Sequence, residues 1–222
     1  MSLSTSLIDI VLHVDKYIAL LIDKFGVFSY VILFLVIFFE TALVFTPFLP
    51  GDSLLFAAGT FAAIGSFNIW IVFLLLFLAA VLGDSVNYSI GHFIGKKILA
   101  MRSKIVRKIV RKEYIDKTQT FFDKHGGKTI VLARFVPIIR TFAPFLAGIG
   151  EMNYWRFLSY NVIGGFVWVA LFVFGGYFFG NIPIVRDNFS FVIIIIIGSS
   201  LVPVAFGFLK HKLEQRKKDK QK

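Results

Sequence analysis

The sequence predicts an all-helical, polytopic membrane protein. Hydrophobic residues make up 57% of the 222 residues and charged residues only 17%, a composition too apolar for a soluble domain. Two apolar stretches are each interrupted by prolines, and charge of one sign flanks each interruption. An isolated charge is costly at membrane depth, and beside a helix break it usually marks a substrate or ion pathway. The two interrupted stretches are therefore the first candidates for a functional site.

The beginning of the chain is predicted to form a surface helix followed by the first interrupted stretch. Apolar residues recur at helical spacing within 1–26, with charged residues elsewhere around the helix, which favours an interfacial amphipathic helix. A long apolar run then reaches the break between Pro47 and Asp52. Ser53 begins a helix of about 13 residues, too short to cross a hydrocarbon core of ~30 Å. Residues 27–66 are therefore predicted to form a re-entrant hairpin.

The rest of the chain is predicted to contain three spans, a second re-entrant hairpin and two basic segments. The polar run Gly83–Tyr88 marks the exit of the first of these spans, and Pro137 and Pro144 interrupt the second hairpin. All of these elements belong to one membrane domain, 27–209. The predicted bounds are 68–90, 155–180 and 189–209 for the spans, 128–149 for the hairpin, and 96–124 and 210–222 for the basic segments.

The net charge of +11 is concentrated in the two basic segments. Segment 96–124 has ten Lys or Arg against three acidic residues, and segment 210–222 has seven against two. Neither has the aromatic stacking pattern of a nucleic-acid site, so nucleic acid is not expected as a partner. The positive-inside rule places both segments, and with them the C-terminus, in the cytoplasm. Counting spans from that end makes the two hairpins enter from opposite sides, which is typical of inverted-repeat transporters with a site where the hairpins meet.

Four charged residues lie at the two breaks and are the leading site candidates. Glu40 and Asp52 flank the first break, and Arg134 and Arg140 flank the second. One alternative is a buried ionic network that only fixes the hairpins together. A role in handling substrate or protons is favoured, because apolar residues could make a purely structural contact at a lower desolvation cost.

Asp84 and Asn161 are secondary candidates within predicted spans. For Asp84, helix capping or interfacial hydrogen bonding is the favoured interpretation. Asn161 could bond to a broken helix, and helix packing is the alternative. Trp168 lies too far inside its span for an interfacial belt and reads as a packing residue. The chain has no cysteine, and its histidines lack metal-ligand spacing, so neither a metal nor a cofactor is expected. The four histidines are His13, His92, His125 and His211.

Several motifs together resemble a known family. They are Phe39-Glu40, Pro47 to Leu55, His125-Gly126-Gly127-Lys128, Arg134 to Thr141, Ala147-Gly148, and Asn161 through Trp168. This combination resembles the DedA family of bacterial inner-membrane proteins, also called the VTT or SNARE-associated Golgi domain group. The resemblance implies two opposed re-entrant hairpins, flipping of undecaprenyl phosphate or other phospholipids, and dependence on the proton gradient. It also implies an essential acidic pair at Glu40 and Asp52 and essential arginines at Arg134 and Arg140.

The expected function is therefore a flippase for an anionic lipid phosphate. Its expected partners are membrane lipids and protons, and a homo-oligomer is compatible with the sequence. Arg134 and Arg140 would hold the phosphate, because a guanidinium offers two parallel donors and stays charged. Glu40 and Asp52 would pair with these arginines until protonation releases them. The alternative is a proton-coupled small-ion transporter. A lipid phosphatase would need histidines beside the phosphate clamp, and neither break has one adjacent, so an enzyme is not expected. A scaffold would not need buried charge.

Overall fold

The structure is a computed structural model that describes residues 14–43, 51–100 and 112–180, together with 182, 183, 185, 192 and 195. All regular secondary structure in these residues is helical, so the predicted all-helical class is confirmed. Some predictions lie wholly or mostly outside the described residues. They concern 1–13, the 44–50 part of the first break, the 101–111 part of the first basic segment, the span 189–209 and the tail 210–222.

The described residues form eight α-helices and one 3-10 turn. The turn, Gly126–Lys128, leads directly into the sixth helix. The helices are α1 Val14–Phe25, α2 Phe28–Ala42, α3 Gly51–Ala63, α4 Ile69–Ala100, α5 Lys112–His125, α6 Thr129–Ala133, α7 Pro137–Ile149 and α8 Tyr154–Phe179.

Among the described residues, two helices are long and apolar enough to cross a membrane. They are Ile69–Gly95 within α4, with 27 residues, and α8, with 26. Large apolar side chains stand exposed on both, for example Leu74 at 56% and Ile163 at 55%. An apolar surface of this kind on long helices is what contact with lipid requires. At the start of α8, the Asn153 side chain accepts hydrogen bonds from the backbone amides of Trp155 and Arg156 at 3.0 and 3.2 Å and so caps the helix.

The polar run Gly83–Tyr88, expected at the exit of a span, does not end its helix. Helix α4 continues through the run to Ala100. The polar side chains Asp84, Asn87 and Tyr88 are three and four residues apart, share one helix face, and are all buried. These side chains do not face water but bond to partners in other segments of the chain. The run is a buried polar face in the middle of α4.

The second break follows from local sequence. Pro137 is the first residue of α7, where its missing amide hydrogen costs nothing. A proline also disfavours the helical conformation in the residue before it, and Val136 is accordingly extended, with φ −126° and ψ 104°. Helix α6 therefore ends at Ala133, and the three residues that follow it turn the chain into α7.

The two short helices α3 and α7 pack against the two long ones. Helix α3 lies mainly on α8, and α7 lies mainly on α4. Glycines at both crossings let the backbones approach so closely that an added Cβ would overlap a carbonyl of the facing helix. The four close approaches are Gly59 to Val173, Gly176 to Phe56, Gly91 to Phe145, and Gly148 to Tyr88. This packing holds the first turns of α3 and α7 in place inside the helix assembly.

Candidate functional site

The structure brings all six sequence-predicted site residues into one buried network. Glu40 is in the last turn of α2, and Asp52 is in the first turn of α3. Arg134 directly follows α6, and Arg140 is in the first turn of α7. The two secondary candidates, Asp84 of α4 and Asn161 of α8, complete the network.

Arg140 lies between the two acids that flank the first break. Its Nη2 lies 3.4 Å from Glu40 Oε1, and its Nη1 lies 3.3 Å from Asp52 Oδ1. The Arg140 side chain is only 10% exposed, and Glu40 only 4%. Both distances exceed the 2.7–2.9 Å that is usual for strong charge-assisted hydrogen bonds. Arg140 is therefore neutralised inside the protein, but neither carboxylate holds it at optimal length.

Gly51, the first residue of α3, positions Glu40. Its backbone amide donates to Glu40 Oε1 at 3.2 Å, as amides at a helix N-terminus commonly do to an anion. A Cβ at position 51 would overlap the Glu40 carboxylate. The glycine is needed here because the carboxylate lies directly against the backbone.

Arg134 has a separate and tighter set of partners. Its Nη2 donates to Asp84 Oδ2 and to Asn161 Oδ1, both at 2.6 Å. The two hairpin acids were expected to pair with both arginines, but the structure gives Arg134 its ion pair with Asp84 instead. Helix capping or interfacial hydrogen bonding is the favoured sequence-based interpretation of Asp84. The burial of Asp84 in an ion pair with Arg134 shows that this interpretation is wrong. Asn161 also donates to the carbonyl of Val81 at 3.0 Å, so it joins α8 to α4 as well as to Arg134.

Arg134 keeps unused donors in the interior. Its side chain is 2% exposed, and its Nε and Nη1 have no hydrogen-bond partner among the described residues. A buried donor without a partner costs free energy, so such groups commonly serve a ligand or an ordered water. The site therefore combines two guanidinium groups with three carboxylates around them, and Arg134 keeps donors that these carboxylates do not use.

Sequence reasoning missed the parts played by Trp168 and Asn87. Trp168 Nε1 donates to Asp52 Oδ1 at 2.9 Å, and the centre of its ring lies 4.1 Å from the Arg140 guanidinium carbon. Asn87 donates to the Thr41 carbonyl at 3.1 Å and the Thr141 carbonyl at 3.0 Å. Two features of the sequence could have indicated these roles. Trp168 lies deep within its predicted span, and Asn87 is three residues after Asp84, which places both side chains on one helix face.

A cluster of three or more His, Cys, Asp or Glu residues able to hold a metal ion does not occur in the described part of the chain.

Comparison with known proteins identifies the family. The VTT domain matches residues 49–178, which contain five of the six network residues. The chain is 51% identical to Protein DedA of Escherichia coli strain K12 over 96% of each chain. It is 42% identical to an uncharacterized membrane protein of Mycobacterium leprae, over 76% of this chain and 74% of that one. It is 33% identical to the E. coli K12 Inner membrane protein YqjA, over 70% and 69%.

No solved structure matches the chain. The long apolar helices and the inner-membrane relative together support a location in the bacterial inner membrane. The motifs around both breaks, the matched domain and the identity over almost the whole chain agree. The chain therefore belongs to the VTT-domain family of membrane proteins, and within it to the DedA proteins.

Proposed function

We propose that the protein moves an anionic lipid phosphate, such as undecaprenyl phosphate or a phospholipid, across the inner membrane, with the movement coupled to the proton gradient. The observation that carries the proposal is the Arg140 guanidinium, buried between Glu40 and Asp52 at 3.4 and 3.3 Å. A guanidinium binds phosphate through two parallel N–H donors. Those donors face carboxylates in this structure, so phosphate and carboxylates compete for the same groups.

Charge counting couples that competition to protons. Arg140 with ionised Glu40 and Asp52 has a net charge of about −1, and the ion pair of Arg134 with Asp84 adds none. A phosphate entering this buried site would meet uncompensated negative charge, which is costly at low dielectric. Protonation of Glu40 and Asp52 removes that repulsion and frees the Arg140 donors. Phosphate therefore enters the protonated site and leaves the ionised one.

The packing of the short helices supports a transporter with two opposed hairpins. Helices α3 and α7 have 13 residues each, about 20 Å at 1.5 Å per residue, and the hydrocarbon core is ~30 Å thick. We infer that both re-enter the membrane instead of crossing it. The corresponding packing of α3 on α8 and of α7 on α4 is the pattern that an inverted repeat produces. A site between such hairpins can open to either side in turn.

Transport in proteoliposomes tests the proposal. Purified full-length protein is reconstituted with a panel of labelled lipids, including undecaprenyl phosphate and phosphatidylethanolamine, with and without a pH gradient. Arg140→Lys loses the bidentate fork and Glu40→Gln loses the ionisable acid, so both variants are expected to abolish lipid movement while remaining folded. The matched control is Arg156→Lys on the exposed start of α8, which is expected to transport normally.

The outcomes separate the proposal from its alternatives. Normal lipid movement by both Arg140→Lys and Glu40→Gln contradicts it. If the wild type moves a soluble anion but none of the lipids in the panel, the protein is a proton-coupled ion transporter and not a lipid transporter. Recovery of the lipid with its phosphate removed would instead indicate an enzyme.

A further inference from the structure

The ring of Trp168 lies close to both arginines of the site. It is fully buried in α8, and its ring centre is 4.1 Å from the guanidinium carbon of Arg140 and 5.7 Å from that of Arg134. Asn161 is seven residues earlier on the same helix, which is two turns, so both side chains lie on one face of α8. That face therefore contacts both arginines, Arg134 through the Asn161 amide and Arg140 through the indole ring.

The indole and the anions use different parts of the Arg140 guanidinium. A cation above an aromatic ring is attracted by the electron-rich face, and tryptophan is the best aromatic residue for this. The N–H donors point outward in the guanidinium plane, where they meet Glu40 and Asp52. Contact with the ring therefore does not compete with carboxylate or phosphate for those donors. Arg140 can change its anionic partner without losing the indole.

Asp52 also has a donor that does not depend on Arg140. Its Oδ1 accepts from Trp168 Nε1 at 2.9 Å and from Arg140 Nη1 at 3.3 Å. When phosphate takes the arginine, the Trp168 hydrogen bond to Asp52 remains. A partly buried carboxyl group that keeps a donor is less costly than one that loses every partner.

We propose that Trp168 is a positioning residue that holds Arg140, and keeps Asp52 hydrogen-bonded, while the guanidinium exchanges its carboxylates for a phosphate. This inference rests on the proposed function for the identity of the incoming anion. The contact between Trp168 and Arg140 exists without ligand, however, so it can be tested separately from transport.

The first experiment is a double-mutant cycle on the ligand-free, full-length protein. The melting temperatures of Trp168→Leu, Arg140→Gln and the double variant are measured in detergent. If the two residues did not interact, the drop in melting temperature of the double variant would equal the sum of the two single drops. We expect a clearly smaller drop, because the second substitution removes a contact that the first has already lost. Additive shifts overturn the proposal. If Trp168→Leu does not fold, Trp168→Phe replaces it in the cycle.

The second experiment measures how the rate of lipid-phosphate movement depends on lipid concentration. Trp168→Leu removes both the ring and the N–H, and is expected to raise the half-saturating concentration by about thirty-fold. Trp168→Phe keeps a ring and loses the N–H, and is expected to raise it by about three- to tenfold. Trp70→Leu, the same change at a 67% exposed tryptophan, should leave it unchanged. Equal losses in the Leu and Phe variants of Trp168 would show that only the N–H matters and that the ring does not hold Arg140, which refutes positioning by the ring.

The third experiment uses Trp168 as its own reporter. The chain has three tryptophans, so Trp70→Phe with Trp155→Phe leaves a single indole beside Arg140. Adding undecaprenyl phosphate in mixed micelles is expected to change its emission, and the uncharged alcohol of the same chain is not. An unchanged spectrum in a variant that still moves the lipid contradicts the proposal. If the wild type moves no lipid phosphate but the double-mutant cycle is non-additive, the proposed function is refuted. Trp168 then remains the residue that positions Arg140.

Discussion

Asp84→Asn removes the charge that compensates Arg134 inside the protein. The two side chains form an ion pair of 2.6 Å and are 6% and 2% exposed. Water cannot replace the lost carboxylate at this burial. Asn161 still contacts Arg134 Nη2, but an amide supplies no compensating charge. The substitution therefore leaves a buried guanidinium without an opposite charge at hydrogen-bond distance.

The expected loss of stability is large. Removing one partner of a buried ion pair costs roughly 3–5 kcal/mol. A chain of this size loses about 2–4 °C of melting temperature per kcal/mol, so Asp84→Asn should melt about 6–20 °C below the wild type. Replacing both charges, in Asp84→Asn with Arg134→Gln, should recover part of this loss because no unpaired charge then remains.

Thermal melting of the detergent-purified protein, followed by the fraction that stays monodisperse in size-exclusion chromatography, measures the effect. The control is Asp123→Asn, the same change at an exposed acid that accepts one hydrogen bond from Gln119 at 3.1 Å. Surface substitutions of this kind stay within about 0.5 kcal/mol. The assignment of Asp84 as the compensating charge is refuted if Asp84→Asn and Asp123→Asn have the same melting temperature. It is also refuted if Asp84→Asn with Arg134→Gln is less stable than Asp84→Asn alone.

Two further predictions concern α8. Gly176→Ala places a Cβ against the carbonyl of Phe56 and should cost about 1–3 kcal/mol of stability by overpacking. Gly175→Ala meets only the ring of Phe56, at ordinary contact distance, and should melt at the wild-type temperature. Equal melting temperatures for the two variants would contradict the close crossing. Asn161→Ala leaves Arg134 with one fewer partner and should cost about 1–3 kcal/mol, measured by the same melting assay, where an unchanged midpoint would count against the hydrogen bond.

The class of the protein and the location of its breaks could be predicted from the sequence. Long apolar runs have few alternatives to membrane helices, and a proline acts on its own neighbours, as the extended Val136 before Pro137 shows. The four break residues stand out because charge is costly in such runs wherever the chain folds. Composition and local sterics therefore decide these features.

The pairing of the charged groups was decided by the tertiary structure. Asp84 is 50 residues from Arg134 and Trp168 is 116 residues from Asp52, so local sequence does not indicate these contacts. The polar run around Asp84 looks like a helix end because a sequence does not show which polar face will find partners. Residues and their charges determined that a buried site exists, and the packing of α3 on α8 and of α7 on α4 determined which acid faces which arginine. Contacts between distant segments depend on that packing, because a charge-assisted hydrogen bond forms only where donor and acceptor come within about 3 Å of each other.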